Sequence, residues 1–241
     1  MSRSKKPRHK LRAHSLIPAT VGALVETAFI LARKDAVAPL AGLASTAITE
    51  VLIANEDRAE RILRGAVERW GVEAHEFEAP NQLAAAIIRY ADVARHQAAA
   101  ENLEVLADAM LGLARRHVLF ASDFLKFAEI VAPLSRDELL LIGALMDEDA
   151  KFYATPRPPN SQGALWKIVR DRLVRLPPET GTFPDLDTLN ATAARATRSG
   201  LLVPLAGFGG TTYALSPIGR KLREIVDINA AIRRADAAHA P

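Results

Sequence analysis

RSGLLVPLAGFGGTTYALSPIGRKLREIV, residues 198–226, carries the order of elements that decides the fold. Gly200 ends a helix that starts at Asp185 or Asp187, and 201–206 reads as a short strand. Gly207-Phe208-Gly209-Gly210 supplies the positive φ values of a tight hairpin, and 211–215 is the return strand. Ser216 then caps a helix over 217–236, with Pro217 in its first turn, where a missing N–H costs nothing. The expected layout is helix, strand, glycine turn, strand, helix.

That layout resembles the end of many bacterial winged helix-turn-helix domains, in which a GLL strand is answered by a Y-x-L-(S/T)-x-x-G passage into a helix. The matching positions are Gly200, Leu201, Leu202, Tyr213, Leu215, Ser216 and Gly219, within residues 185–230. Further upstream, FLKFAEIVAPLSRDELLLIGAL, residues 124–145, followed by such a wing, is similar to the helical proteins grouped as abortive infection alpha. The likeness implies a stress-response or phage-defence setting. The Pro-rich segment 151–163 departs from the pattern.

Outward from the hairpin, the 241-residue chain reads as helical. Alanine accounts for 45 residues and aromatics for only 5%; alanine favours helices over strands. The expected fold class is mainly α, an N-terminal multi-helix bundle followed by a winged-helix-like unit with a two-stranded antiparallel hairpin. Helices are expected near 18–33, 39–54, 56–70, 81–97, 100–117, 122–132, 136–148, 164–175 and 186–198. Asn55 and Gly71 are read as stops, Ser122 as a cap, and Ser135 with Glu138 as a capping box. The division is a basic tail at 1–15, a helical domain at 16–150, a linker at 151–163 (KFYATPRPPNSQG) and a winged-helix-like domain at 164–241. One continuous core is the alternative.

The net charge of +3 is unevenly spread: +6 over 1–14, −9 over 16–150 and +6 over 151–241. Arg3, Lys5, Lys6, Arg8, Lys10 and Arg12 form a tail that suits nucleic acid, anionic lipid or the chain's own acidic surface. The apolar runs 16–32 and 36–54 carry Glu26, Pro39 and Glu50 and fall short of a bilayer span. The expectation is a cytoplasmic protein. A helical hairpin at 16–54 that visits an anionic membrane surface is an alternative.

Thr188, Thr192, Arg195 and Arg198 are expected on the flank of helix 186–198 opposite Leu189, Ala193 and Ala196, where groove-reading side chains would sit. Yet 199–216 holds no Lys or Arg, and phosphate neutralisation carries most of the affinity of a DNA-binding wing. Phe208 at the tip, ringed by glycines, better suits an apolar pocket or a partner protein. The contact candidates are therefore Thr188, Thr192, Arg195, Arg198, Phe208, Thr211 and Lys221, with a protein as the first partner and DNA as the second.

Zero cysteines exclude thiol chemistry and Cys-based metal sites. His9, His14, His75, His96, His117 and His239 form no HExxH pair, and the last three before the terminus lie at expected helix ends, where a ring meets free carbonyls. The run Asp147-Glu148-Asp149 points around a helix rather than to one centre. GFGG leads into a strand, not into a helix N-terminus, and so is not a phosphate loop. The expectation is a non-enzymatic binding protein without cofactor or metal.

Overall fold

The computed structural model describes residues 23, 25–27, 29–30, 46–71, 80–96, 98–116, 121–154, 161–174, 182–207 and 210–239. The basic tail and Phe208 lie outside them, as do Pro18, Pro39 and most of the 16–45 stretch. The protein is mainly helical: α1 Thr46–Trp70, α2 Pro80–Arg95, α3 Ala100–Arg115, α4 Ala121–Val131, α5 Arg136–Tyr153, α6 Ser161–Leu173 and α7 Leu186–Ala196 precede a hairpin. The strands are β1 Leu202–Gly207 and β2 Gly210–Leu215, and α8 Pro217–Arg223 and α9 Ile228–His239 follow.

Local caps set many of these boundaries. The Ser135 hydroxyl accepts from the Glu138 N–H at 3.3 Å, while the Ser135 N–H donates to Glu138 Oε2 at 2.8 Å, the expected reciprocal pair. Asp185, not Asp187, caps α7: its carboxylate accepts from the Thr188 N–H at 2.7 Å. Ser216 caps α8 through the Gly219 N–H at 3.0 Å, with Pro217 at the first turn. Gly200 takes φ 75°, the left-handed turn that stops the 3₁₀ extension of α7 before β1. The strands pair antiparallel from Leu202↔Leu215 to Gly207↔Gly210.

Several expected boundaries are corrected. Asn55 does not stop a helix; α1 runs through it, because Glu56, Ala59, Leu63 and Ala66 continue one buried face and Asn costs only its modest propensity. Ser122 is exposed inside α4, which opens one residue earlier with the Ala121 N–H donating to Gln82 Oε1 at 2.8 Å. The segment 217–236 is not one helix: Asp227 caps a new one, accepting from the Ala230 N–H at 2.8 Å. Residues 151–153 belong to α5 and 161–163 to α6, so only 155–160 of the expected linker lies outside the described residues.

α3 is the centre of the first half. Every residue from Asn102 to Ala114 is buried, because α1, α2, α4 and α9 surround it. α5 plays that part in the second half, packing on α6, α7, α8, α9 and β2. α9 joins the two by lying on both α3 and α5, and one buried cluster runs from Val25 through Tyr90, Leu145 and Trp166 to Ile232. Trp166 of α6 meets Tyr213 of β2 edge-on at 4.9 Å, which fastens the hairpin to the helices. Val25 and Phe29 are buried, with Phe29 edge-on to Tyr90 at 6.5 Å, whereas Val51 is exposed. Among the described residues no helix is long and apolar enough to cross a membrane.

Gly219 lets α8 close onto the hairpin. A Cβ there would stand inside the van der Waals limit of the Leu201 carbonyl oxygen, which already accepts from the Ser216 N–H at 2.8 Å. Gly219→Ala is expected to destabilise the fold by about 1–3 kcal/mol through overpacking. Gly163→Ala, on an exposed α6 position with open space at the Cβ, is expected to stabilise by about 0.5–1 kcal/mol. Urea unfolding of both variants checks the opposite signs.

Candidate docking face

α7 presents Asp187, Ala191, Ala194 and Arg195 to solvent and buries Leu189, Thr192, Ala193 and Ala196, while Arg198 is exposed on the 3₁₀ turn Thr197–Ser199 that follows it. Thr192 is thus not on the outer flank as expected. It fills the inner face between Leu189 and Ala196, and its hydroxyl accepts from Arg195 Nη2 at 3.1 Å, which satisfies the buried oxygen locally. Thr188 is half-buried, and its N–H is committed to Asp185. That hydrogen bond holds the exposed Asp185 carboxyl below the usual carboxylate range.

Arg195 and Arg198 do come together. With Ser199 they form one wall of a groove of about 450 Å³. The opposite wall is the α4–α5 turn, with Ile130, Pro133 and Leu134 as its apolar part and Glu129 and Glu138 at its rim. Glu138 is already engaged by the Ser135 cap, so Glu129, an exposed carboxylate, is the freer of the two acids. A second groove of about 450 Å³ lies on the other side of this turn, sharing Glu129 and Pro133 and adding Arg89, Asp92 and His96. Arg89 Nη2 stands 3.9 Å from Glu129, while its Nε is buried without a hydrogen-bond partner. His96 Nδ1 lies 2.7 Å from the Asp92 carbonyl, the helix-end role expected of it.

The remaining candidates are dispersed. Thr211 is exposed opposite Ala206 near the turn of the hairpin, and Lys221 is exposed on α8. Neither lines the groove of Arg195 and Arg198. The hairpin's own exposed surface is uncharged, with Val203 36% exposed beside Pro204, Ala206 and Thr211, and Ile218 of α8 46% exposed. Sequence reasoning missed Glu129, Ile130 and Pro133, whose place opposite Arg195 is a matter of packing and leaves no spacing signal, and Arg89, which lines the second groove.

The acidic run resolves into pairs. Asp147 accepts from Asn229 Nδ2 at 2.8 Å, Glu148 from Lys151 at 2.8 Å and Arg172 at 3.1 Å, and the fully buried Asp149 from Arg223. Among the described residues no group of three or more His, Cys, Asp or Glu side chains is placed to hold a metal ion. The described surface therefore offers an apolar turn flanked by charges of both signs and, apart from that groove, a neutral hairpin edge. Comparison with protein-family models, curated proteins and solved structures finds no match to this chain, so the character of the face rests on its own geometry.

Proposed function

We propose that the chain is a non-enzymatic binding protein whose winged-helix-like C-terminal unit docks a partner protein. The groove of Arg195, Arg198 and the α4–α5 turn and the neutral edge of the hairpin are its contact surface. The observation that carries this reading is the company the arginines keep: they face Ile130, Pro133, Leu134 and Glu129 across a groove, while 199–216 contributes no cation. A duplex-tracking surface needs the opposite distribution, with cations on the wing and no carboxylate beside the reading helix. The likeness of 124–145 to abortive infection alpha proteins makes phage defence or stress response the setting.

The test is site-specific photocrosslinking in cells from positions Ile130 and Val203, with exposed Lys167 of α6 as the control position. Discrete protein adducts from the first two, absent from the third and lost on Arg195→Glu with Arg198→Glu, are expected. Nuclease-sensitive adducts would overturn the reading in favour of a DNA-binding regulator. In that case Arg195→Ala should weaken duplex binding with a shallower salt slope, where the docking reading expects no change.

A further inference from the structure

α1 carries three arginines on one stripe, Arg58, Arg61 and Arg69, which line a cleft of about 230 Å³ against α3 and α9. Arg58 and Arg61 stand about one turn apart, and Arg69 about two turns further along the same face. The opposing walls are small: Ala100 of α3 and Ala235 and Ala238 of α9, with Gly65 of α1 between the arginines. The cleft exists because none of these four positions carries a side chain longer than a methyl group.

The charges do not cancel. Glu104 is the acid in the wall, and both it and Asp108 behind it are held by Arg69 and Arg234, two guanidinium groups on two carboxylates. Arg69 uses Nη2 for both carboxylates, and its Nη1 lies 3.4 Å from where a Cβ on Gly65 would stand, on the cleft side. Arg61 gives only its Nε to the Asp57 carbonyl at 3.3 Å, a neutral acceptor. Arg58, half-buried, has no carboxylate partner among the described residues. Among the described residues Arg58 and Arg61 are thus surplus cations, in a cleft whose lining is small apart from Ile62, in a chain segment whose overall charge is acidic.

We propose that this cleft binds the terminal phosphate of a small soluble phosphomonoester, with Arg58 and Arg61 as its principal donors and the free edge of Arg69 as the third. Guanidinium forks match phosphate oxygens in pairs. A phosphate presents three terminal oxygens and a larger negative charge than a carboxylate, so it can engage three arginines at once. The ligand would rest across α1, α3 and α9 and so bind only the assembled fold, which makes it stabilising by mass action.

Calorimetric titration of the full chain with inorganic phosphate, at ionic strength matched with chloride, tests this. Saturable one-site binding is expected, with a melting temperature that rises with phosphate and not with matched chloride. Arg58→Ala with Arg61→Ala is expected to weaken binding about tenfold or more. Gly65→Leu, which keeps the charges and extends a side chain into the cleft from a position where an added Cβ would stand 3.4 Å from Arg69 Nη1, is expected to abolish it while helicity by circular dichroism is retained. Absence of saturable binding, an equal response to chloride, or binding unaltered in either variant would overturn the proposal.

Discussion

Replacing Arg234 with methionine is expected to lower the stability of the protein by about 3 kcal/mol, a fall in melting temperature of roughly 6–12 °C for a chain of this size. Arg234 Nε donates to Glu104 Oε2 at 2.8 Å and its Nη2 to Asp108. Arg69 reaches the same carboxylates at 2.9 and 3.3 Å, and Trp70 Nε1 donates to Asp108 at 3.1 Å. Both acids are only 8% exposed and stand one turn apart on α3. Burial opposes Arg234's charge, but the hydrogen bond to Glu104 and the charges of Asp108 and Glu104 outweigh it and hold its pKa above the ordinary arginine value. Without Arg234, one guanidinium faces two buried like charges. The usual cost of stranding a buried charge is about 3–5 kcal/mol; the lower end applies because Arg69 and Arg234 are 35% and 26% exposed and water reaches the cluster. Adding Glu104→Gln and Asp108→Asn to the methionine variant should restore much of the loss. Denaturant unfolding decides: a loss under about 1 kcal/mol, or no recovery in the triple variant, would show that the cluster is peripheral to the fold.

The legible part of this fold was local. Ser135 with Glu138, Asp185 with Thr188 and Ser216 with Gly219 each meet three residues apart, so the sequence holds both partners in one glance. The hairpin was readable for the same reason, since its turn residues and its pairing strands are contiguous. What escaped depends on which helices surround which. Leu103, Leu106, Met110 and Leu113 make one apolar stripe at helical spacing, yet α3 is enclosed on all sides, so Asn102, Glu104 and Asp108 go inside as well. On the sequence those acids resemble a solvated face. Their partners, Arg69 and Arg234, stand 35 and 130 positions from Glu104, distances over which no spacing rule operates. Thr192 misled in a smaller way: a hydroxyl suggests exposure, but Arg195 one turn later satisfies it and leaves its methyl for the interior. The candidate groove was half visible, in Arg195 and Arg198. Its other wall, the turn at Pro133, shows in the sequence only as the break between helices 122–132 and 136–148.

Asn102 shows how the enclosed helix carries polar work, and Asn102→Asp is expected to cost about 4 kcal/mol at neutral pH. The side chain is fully buried, and its Nδ2 donates to the Val131 carbonyl at 2.7 Å and the Leu134 carbonyl at 2.9 Å, with Ala132 further off at 3.4 Å. These are carbonyls at the end of α4, which stops at Val131 and leaves its last acceptors without intrahelical donors, and in the turn around Pro133 that follows. The amide must face them with nitrogen, because the flipped orientation would set Oδ1 against the same oxygens; as it stands, Oδ1 is buried without a hydrogen-bond partner. An aspartate has the same shape and no donor when ionised. It would press a charge onto carbonyl oxygens in a water-poor site, so its folded pKa must rise above the unfolded value of about 3.9. The sign follows from linkage: the ionic part of the loss is complete above the raised folded pKa and disappears below the unfolded one, where the neutral acid regains one O–H donor. Asn102→Leu removes the donors without adding a charge and should cost about 2–3 kcal/mol at every pH. Urea midpoints of the two variants, measured relative to the parent at pH 7 and at about pH 3.5, below the unfolded pKa, distinguish the causes. Convergence of the aspartate variant on the leucine variant at low pH is expected. A constant gap, or equal losses at neutral pH, would mean that shape alone, and not hydrogen-bond polarity, is what α4 requires of Asn102.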